Sequence, residues 1–172
     1  MKVAVILAPR DFRDETLSQL KLYFSKKDVE TKLASTTLGK CFGAHGAVAK
    51  SELEIDAMNP LDFDAVVVAD GPGVDSLKMF DHRPLLDLIK LFKEANKAVV
   101  GIGNGIKVVA RANIIKDMKI AEADAETKKL VELYRGKPTE EHVVRDGGII
   151  TASSNDDIPE LVSAMLSDPE EA

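Results

Sequence analysis

The chain has 172 residues, with 23 lysines and arginines against 29 aspartates and glutamates, a formal net charge of −6. Its composition, 45% apolar and 30% charged, is that of a globular chain long enough for one domain with a real core and short for two. The acidic balance argues against nucleic acid as a partner, because Lys26-Lys27 and Lys128-Lys129 are short basic pairs with acidic neighbours.

Strand and helix signals alternate from the start. Val3 to Ala8 is a continuous apolar run rich in β-branched residues, which predicts a strand buried on both faces rather than a signal peptide. Residues 14–26 place Leu17, Leu20 and Phe24 at helical spacing, and Val29 to Ala34 reads as a second strand. Residues 41–55, with Gly43 and Gly46, suggest a small hairpin and an edge strand. DAVVVA (64–69) is another buried strand, and GPG at 71–73 turns the chain toward a helix. Pro84 to Ala95 is amphipathic through Leu85, Leu88, Ile89 and Phe92. Ala98 to Ile102 reads as a strand and Asn104 to Asn113 as a helix. Residues 117–140 give the weakest pattern, with a short strand near 119–121 and a helix near 125–134. HVVRDGGIITAS (142–153) predicts a hairpin around Asp146-Gly147, and Asp156, Asp157 and Pro159 open a last helix to about Leu166. The alternation implies a doubly wound α/β sandwich of flavodoxin-like type, its mostly parallel central sheet made mixed by hairpin additions. One domain is expected over 1–166, with a frayed acidic tail over 167–172.

Several function classes drop out. No apolar stretch approaches the roughly 20 residues of a membrane span, so no membrane partner is expected. One cysteine, Cys41, excludes an intrachain disulfide and fits a reducing cytoplasm. His45, His82 and His142 lack metal-ligand spacing. GPGVDSL (71–77) lacks the spacing and lysine of a phosphate-binding loop, and GIGNG (101–105) lacks the dinucleotide pattern. No metal and no cofactor are expected.

In an open parallel sheet, ligands sit beyond the carboxyl ends of the strands. The loops at 9–15, 70–74 and 103–105 should therefore converge, bringing together Arg10, Arg13, Asp14, Glu15, Asp70, Gly71, Asn104 and, one turn on, Lys107. VVGIGNGIKVV (99–109) is an apolar run ending in alternating glycines where a helical pattern begins, the sharp strand-to-helix turn on which a nucleophile often stands. Here that position is Gly103, which has no side chain.

Five segments, in order, resemble the ThiJ/PfpI superfamily, the intracellular-protease-like and deglycase-like proteins. They are MKVAVILAPRDFRDETL, FGAHG (42–46), DFDAVVVADGPG, VVGIGNGIKVVARANIIKDMK and VVRDGGIITASSNDDIPEL. The resemblance implies a flavodoxin-like fold and a homodimer or higher homo-oligomer. It also implies that the family's nucleophilic cysteine falls at Gly103, its following histidine at Asn104 and its thiol-bonding glutamate at Arg13. Its oxyanion-hole glycine pair falls at Asp70-Gly71. Glycine offers no reacting atom, asparagine accepts no proton at neutral pH, and arginine has no acceptor.

This leads to the expectation of a pseudoenzyme, a non-catalytic binding or regulatory protein. Arg13, Asp14, Asp70, Gly71, Gly103, Asn104 and Gly105 would line the former active-site crevice and hold a small anionic metabolite at backbone amides and Arg13. Alternatives stay open at each position. Gly103 also reads as a turn that needs positive φ, Asn104 as a helix N-cap, and Arg13 as one half of a salt bridge with Asp14 or Asp70. The alternative function is a peptidase, glyoxalase or deglycase working through non-standard residues such as Asp14, Glu15 or Cys41. A structural subunit and a glutamine amidotransferase are further rivals; the latter would need a cysteine at the elbow and a late histidine-x-glutamate pair, and the sequence has neither.

Overall fold

A computed structural model describes residues 1–167; apart from Ser167, the acidic tail expected at 167–172 lies outside the described residues. The chain runs β1 (Lys2–Ile6), β2 (Arg10–Phe12), α1 (Asp14–Lys26), β3 (Glu30–Ser35), β4 (Gly39–Gly43), β5 (Val48–Ser51) and β6 (Leu53–Glu54). It continues with β7 (Ala65–Val68), α2 (Pro72–Ser76), α3 (Arg83–Glu94), β8 (Ala98–Ile102) and α4 (Ile106–Arg111). The last third holds β9 (Lys119–Ile120), α5 (Ala125–Leu133), β10 (Lys137–Pro138), β11 (Val143–Asp146), β12 (Ile149–Ala152) and α6 (Ile158–Leu166).

The central sheet has seven strands in the order β11-β12-β8-β7-β1-β3-β6. Every pairing is parallel except β11 with β12. The two apolar runs predicted as buried strands are so: Val3 to Ile6 and Ala65 to Val68, together with Val99 to Ile102, form the middle of the sheet. Helices α1 and α6 pack together on one side, and α3 and α4 on the other. Helix α1 buries Leu17, Leu20 and Phe24, and α3 buries Leu85, Leu88, Ile89 and Phe92, at the expected helical spacings. The architecture is the mixed α/β sandwich of flavodoxin-like type that the alternation implies.

Three local expectations need correction. The 39–51 hairpin does not extend the central sheet. It pairs with β2, a strand absent from the sequence reading, in a separate three-stranded sheet β2-β4-β5, so the mixed character of the main sheet comes from β11 alone. The 142–153 hairpin turns one residue later than predicted: Asp146 faces Ile149, leaving Gly147 and Gly148 as the two-residue loop, with Gly147 at φ +61°. The helix predicted from Asn104 begins as a 3₁₀ turn, Gly103–Gly105, and becomes α-helical only at Ile106.

The weakly patterned region 117–140 is tied to the sheet through side chains of Asp146, Thr151 and Ser153, of which Thr151 makes its bond in the buried interior. Strands β9 and β10 form a small parallel pair, and the Ala121 backbone N–H donates to Thr151 Oγ1 on β12 at 2.8 Å. Thr151 is fully buried. Thr151→Val keeps the shape but orphans that N–H, so stability in urea should fall by about 1–3 kcal/mol. Native-state hydrogen exchange at residues 119–121 should accelerate with it.

Candidate functional site

Beyond the carboxyl ends of β1, β7, β8 and β12 lies a cleft of about 440 Å³, lined by Arg13, Asp70, Gly71, Pro72, Asp75, Gly103, Asn104, Asp124 and the 153–155 turn. Five of the seven residues expected in the crevice line it: Arg13, Asp70, Gly71, Gly103 and Asn104. Asp14 does not. Its carboxylate accepts the backbone N–H groups of His45 (3.1 Å) and Ala47 (2.8 Å), tying α1 to the β4–β5 turn. Partial burial raises the Asp14 pKa, but these two amides outweigh it and hold the carboxyl below its ordinary value. Gly105 is also outside. A Cβ there would stand 2.4 Å from the Val68 carbonyl oxygen, so this glycine is required for close packing of the turn on β7.

The centre of the site is Asp70, which is 5% exposed. Thr16 Oγ1 donates to its Oδ1, and Arg13 Nε donates to its Oδ2 at 2.9 Å. The Arg13 backbone N–H also donates to the Asp70 carbonyl at 3.0 Å. The salt bridge left open in the sequence is therefore made with Asp70 and not with Asp14. Burial pushes the Asp70 carboxyl above the ordinary aspartate pKa, outweighing the Thr16 and Arg13 contacts that favour its charge.

Gly103 sits at φ +53°, a left-handed conformation that carries no steric penalty for glycine and a modest one for residues with a Cβ. A Cβ built on it would lie 2.8 Å from Asp70 Oδ2 and 3.0 Å from Asp70 Cβ. The space above the turn is thus filled from the side by Asp70.

Asn104 is not a helix N-cap, since no side chain caps this turn. Its Oδ1 accepts the Gly71 N–H (3.0 Å) and its Nδ2 donates to the Gly71 carbonyl (2.8 Å). The Gly71 amide, expected to face an incoming anion, is already occupied. Lys107 is buried beneath the turn. Its Nζ binds Asp75 Oδ1 (2.7 Å) and Glu126 Oε2 (3.0 Å), and the side chain does not line the cleft. Desolvation lowers the Lys107 pKa, but the two carboxylates more than reverse this and raise it, so the lysine stays charged.

Residues that sequence reasoning missed are Thr16, Asp75, Asp124 and Asn155. Asp124 Oδ1 caps α5 by accepting the Thr127 N–H at 2.8 Å. Ser154 and Asp157 form a capping box before α6, and Ser153 Oγ donates to the Glu122 carbonyl at 2.6 Å. A run such as Ser154-Asn155-Asp156-Asp157 signals a helix start, which hides the fact that it also forms a wall of the cleft. Arg10, Glu15 and Cys41 lie outside the lining. Glu15 pairs with His45 Nδ1 at 2.9 Å. Cys41 is fully buried on β4, and burial pushes its thiol pKa up. Among the described residues no cluster of three or more His, Cys, Asp or Glu could hold a metal, and no helix is long and apolar enough to cross a membrane.

This geometry can be set against known proteins. The family model described as DJ-1/PfpI family matches residues 1–168. The chain belongs to the DJ-1/PfpI family. A ThiJ/PfpI domain protein from Brachyspira murdochii superposes with a TM-score of 0.89 at 26% identity, covering 95% of this chain and 93% of that one. Among curated relatives, MJ0967 of Methanocaldococcus jannaschii is 36% identical over 160 residues, 90% of this chain and 76% of that protein. The deglycase PH1704 of Pyrococcus horikoshii is 28% identical over 119 residues, 69% of this chain and 70% of that enzyme.

Two predictions follow from Asp70. Gly103→Ala should destabilise the fold by about 2–4 kcal/mol, combining left-handed backbone strain with overpacking. In an Asp70→Ala background that cost should shrink by about 1 kcal/mol or more, a coupling that a double-mutant cycle in urea would read. The second concerns pH. A carboxyl whose pKa is raised on folding binds more protons folded than unfolded, so its contribution is present below the unfolded value and lost as pH rises through the folded one. The stability of the wild type relative to Asp70→Asn should therefore decline as pH is raised above the ordinary aspartate value of 3.8.

Proposed function

We propose that this DJ-1/PfpI domain works without a thiol, as a binding or regulatory protein whose cleft takes a small polar ligand. The observation that carries the reading is Asp70 against Gly103: where the resemblance implies a nucleophile, the turn has no side chain, and the adjoining carboxyl occupies the room one would need. Supporting it, Asn104 is spent on the Gly71 backbone, and Arg13, at the position implied for a thiol-bonding glutamate, is a donor only. Removing one catalytic group from a nucleophilic site can lower rates by roughly four to six powers of ten, so the absence of several is consistent with no thiol chemistry.

Within this reading Arg13 is the ligand-facing cation. Its side chain is 42% exposed and lines the cleft, and the hydrogen bonds among the described residues use only its Nε, leaving both terminal amino groups without a partner there. A carboxylate or phosphate group on the ligand is the match. The protein on this reading is cytoplasmic and a homo-oligomer, supported by a single cysteine, which can form no intrachain disulfide, and by the family resemblance.

The alternative reading is a peptidase, glyoxalase or deglycase using other residues. The deglycase among the relatives favours it, but buried Cys41, with its pKa raised, is a poor nucleophile. The two readings separate in one experiment. With methylglyoxal or a fluorogenic peptide, the purified protein should show no turnover above buffer, and Cys41→Ser should change nothing. Turnover abolished by Cys41→Ser or by Asp70→Asn would overturn the binding reading in favour of an enzyme.

A further inference from the structure

We infer that the ligand of this cleft is a small zwitterion, carrying an ammonium group as well as the carboxylate that Arg13 would hold. The inference rests on the binding reading above and adds the second charge. The lining contains one cation, Arg13, and three carboxylates, Asp70, Asp75 and Asp124. Arg13 and Asp70 neutralise one another at 2.9 Å, which leaves two further acidic groups in the lining. Lys107 cannot balance them, because Glu126 shares it: the trio Asp75, Lys107 and Glu126 still sums to one negative charge. A simple anion would therefore enter a cleft of net negative charge, with the Gly71 amide already taken by Asn104.

The unspent polar groups define the complement. Arg13 keeps its terminal amino groups. Asp124 uses Oδ1 to cap α5, and among the described residues its Oδ2 has no hydrogen-bond partner. The Asn155 side-chain amide, also in the lining, is likewise without a partner among the described residues and is half-buried. The lining thus combines a forked donor with an open carboxylate oxygen and an amide. That pairing selects a carboxylate at one end and a protonated amine at the other, as in an amino acid, over either charge alone.

Asp124 is the residue to change, since asparagine caps a helix as well as aspartate and α5 should stay intact. The probes are glycine, β-alanine and γ-aminobutyrate, whose charges are progressively further apart, with butyrate, butylamine and succinate as single-sign controls. Titrations are followed by backbone amide NMR shifts at residues 13, 103–105, 124 and 153–155. At least one amino acid of the series should bind more tightly than both butyrate and butylamine. Asp124→Asn should weaken it by about threefold to tenfold, the range for one partly exposed charge contact, while leaving butyrate binding equal or stronger. Arg13→Lys, which keeps the charge but loses the fork, should also weaken the amino acid. If butyrate or succinate binds at this cleft as well as every amino acid, or if Asp124→Asn has no effect on amino-acid binding, the zwitterion inference fails while the binding reading stands. If butylamine alone matches the amino acids, the ligand is a plain cation and the inference fails as well. If no probe moves the cleft signals at tens of millimolar, both the inference and the small-ligand reading fall.

Discussion

The cleft depends on one buried carboxyl. Asp70 joins three segments that the sequence keeps far apart: Arg13 and Thr16 at the start of α1, its own loop after β7, and the bare turn at Gly103 after β8. A carboxyl that is 5% exposed is costly to ionise, and here burial does raise its pKa despite a guanidinium at 2.9 Å. The pair is asymmetric: Arg13 reaches solvent while Asp70 does not. Such a bridge adds little net stability, yet breaking it would strand a buried charge, so its main effect is to fix where the three loops stand. Asn104 does the same for the neighbouring turn with neutral bonds, closing both the N–H and the carbonyl of Gly71.

This locking has a consequence for chemistry. An oxyanion site needs backbone donors left open toward the reacting atom, and a thiol site needs room above the strand-to-helix turn. In this chain the Gly71 donor is closed and the room is filled. On the proposed reading, what the crevice retains is recognition: an arginine fork with carboxylate and amide groups in the same lining, and no polarisable nucleophile among them.

The fold was legible because its signals are local and strong. Val3 to Ala8, DAVVVA and the run 98–102 are apolar on both faces, and nothing but an interior parallel strand accommodates them. The elements that escaped are those set by tertiary pairing. Strand β2 is three residues long and exists because the β4–β5 hairpin lies beside it, while β10 is two residues long and holds on to β9. The candidate site was legible where a residue's loop position alone decided it, as for Arg13, Asp70 and Gly103. It was not legible where one side chain had two possible partners. Asp14 and Asp70 are both carboxylates within reach of Arg13 in a sequence reading, and only the fold shows that Asp14 is drawn off by the amides of residues 45 and 47. Lys107 reads as a cation near the turn, but burial under Phe80 (5.7 Å to the ring centre), Asp75 and Glu126 removes it from the cleft.

The residues at the crevice also constrain one another. With aspartate at 70, any side chain at 103 meets its carboxyl oxygen, so the glycine and the aspartate form a compatible pair and a cysteine at 103 alone would not. With arginine at 13, a carboxyl at 70 is favoured in turn, since the guanidinium would otherwise face only backbone and solvent. With asparagine at 104, the Gly71 peptide is held in one orientation by two bonds that a histidine ring could not make together, because it would have to donate and accept through a different spacing of atoms. On the proposed reading, placing thiol chemistry on this scaffold would require change at 13, 70, 103 and 104 together. Gly103→Cys alone would add a sulfur atom without room, without a proton acceptor and without an open Gly71 amide to receive developing charge.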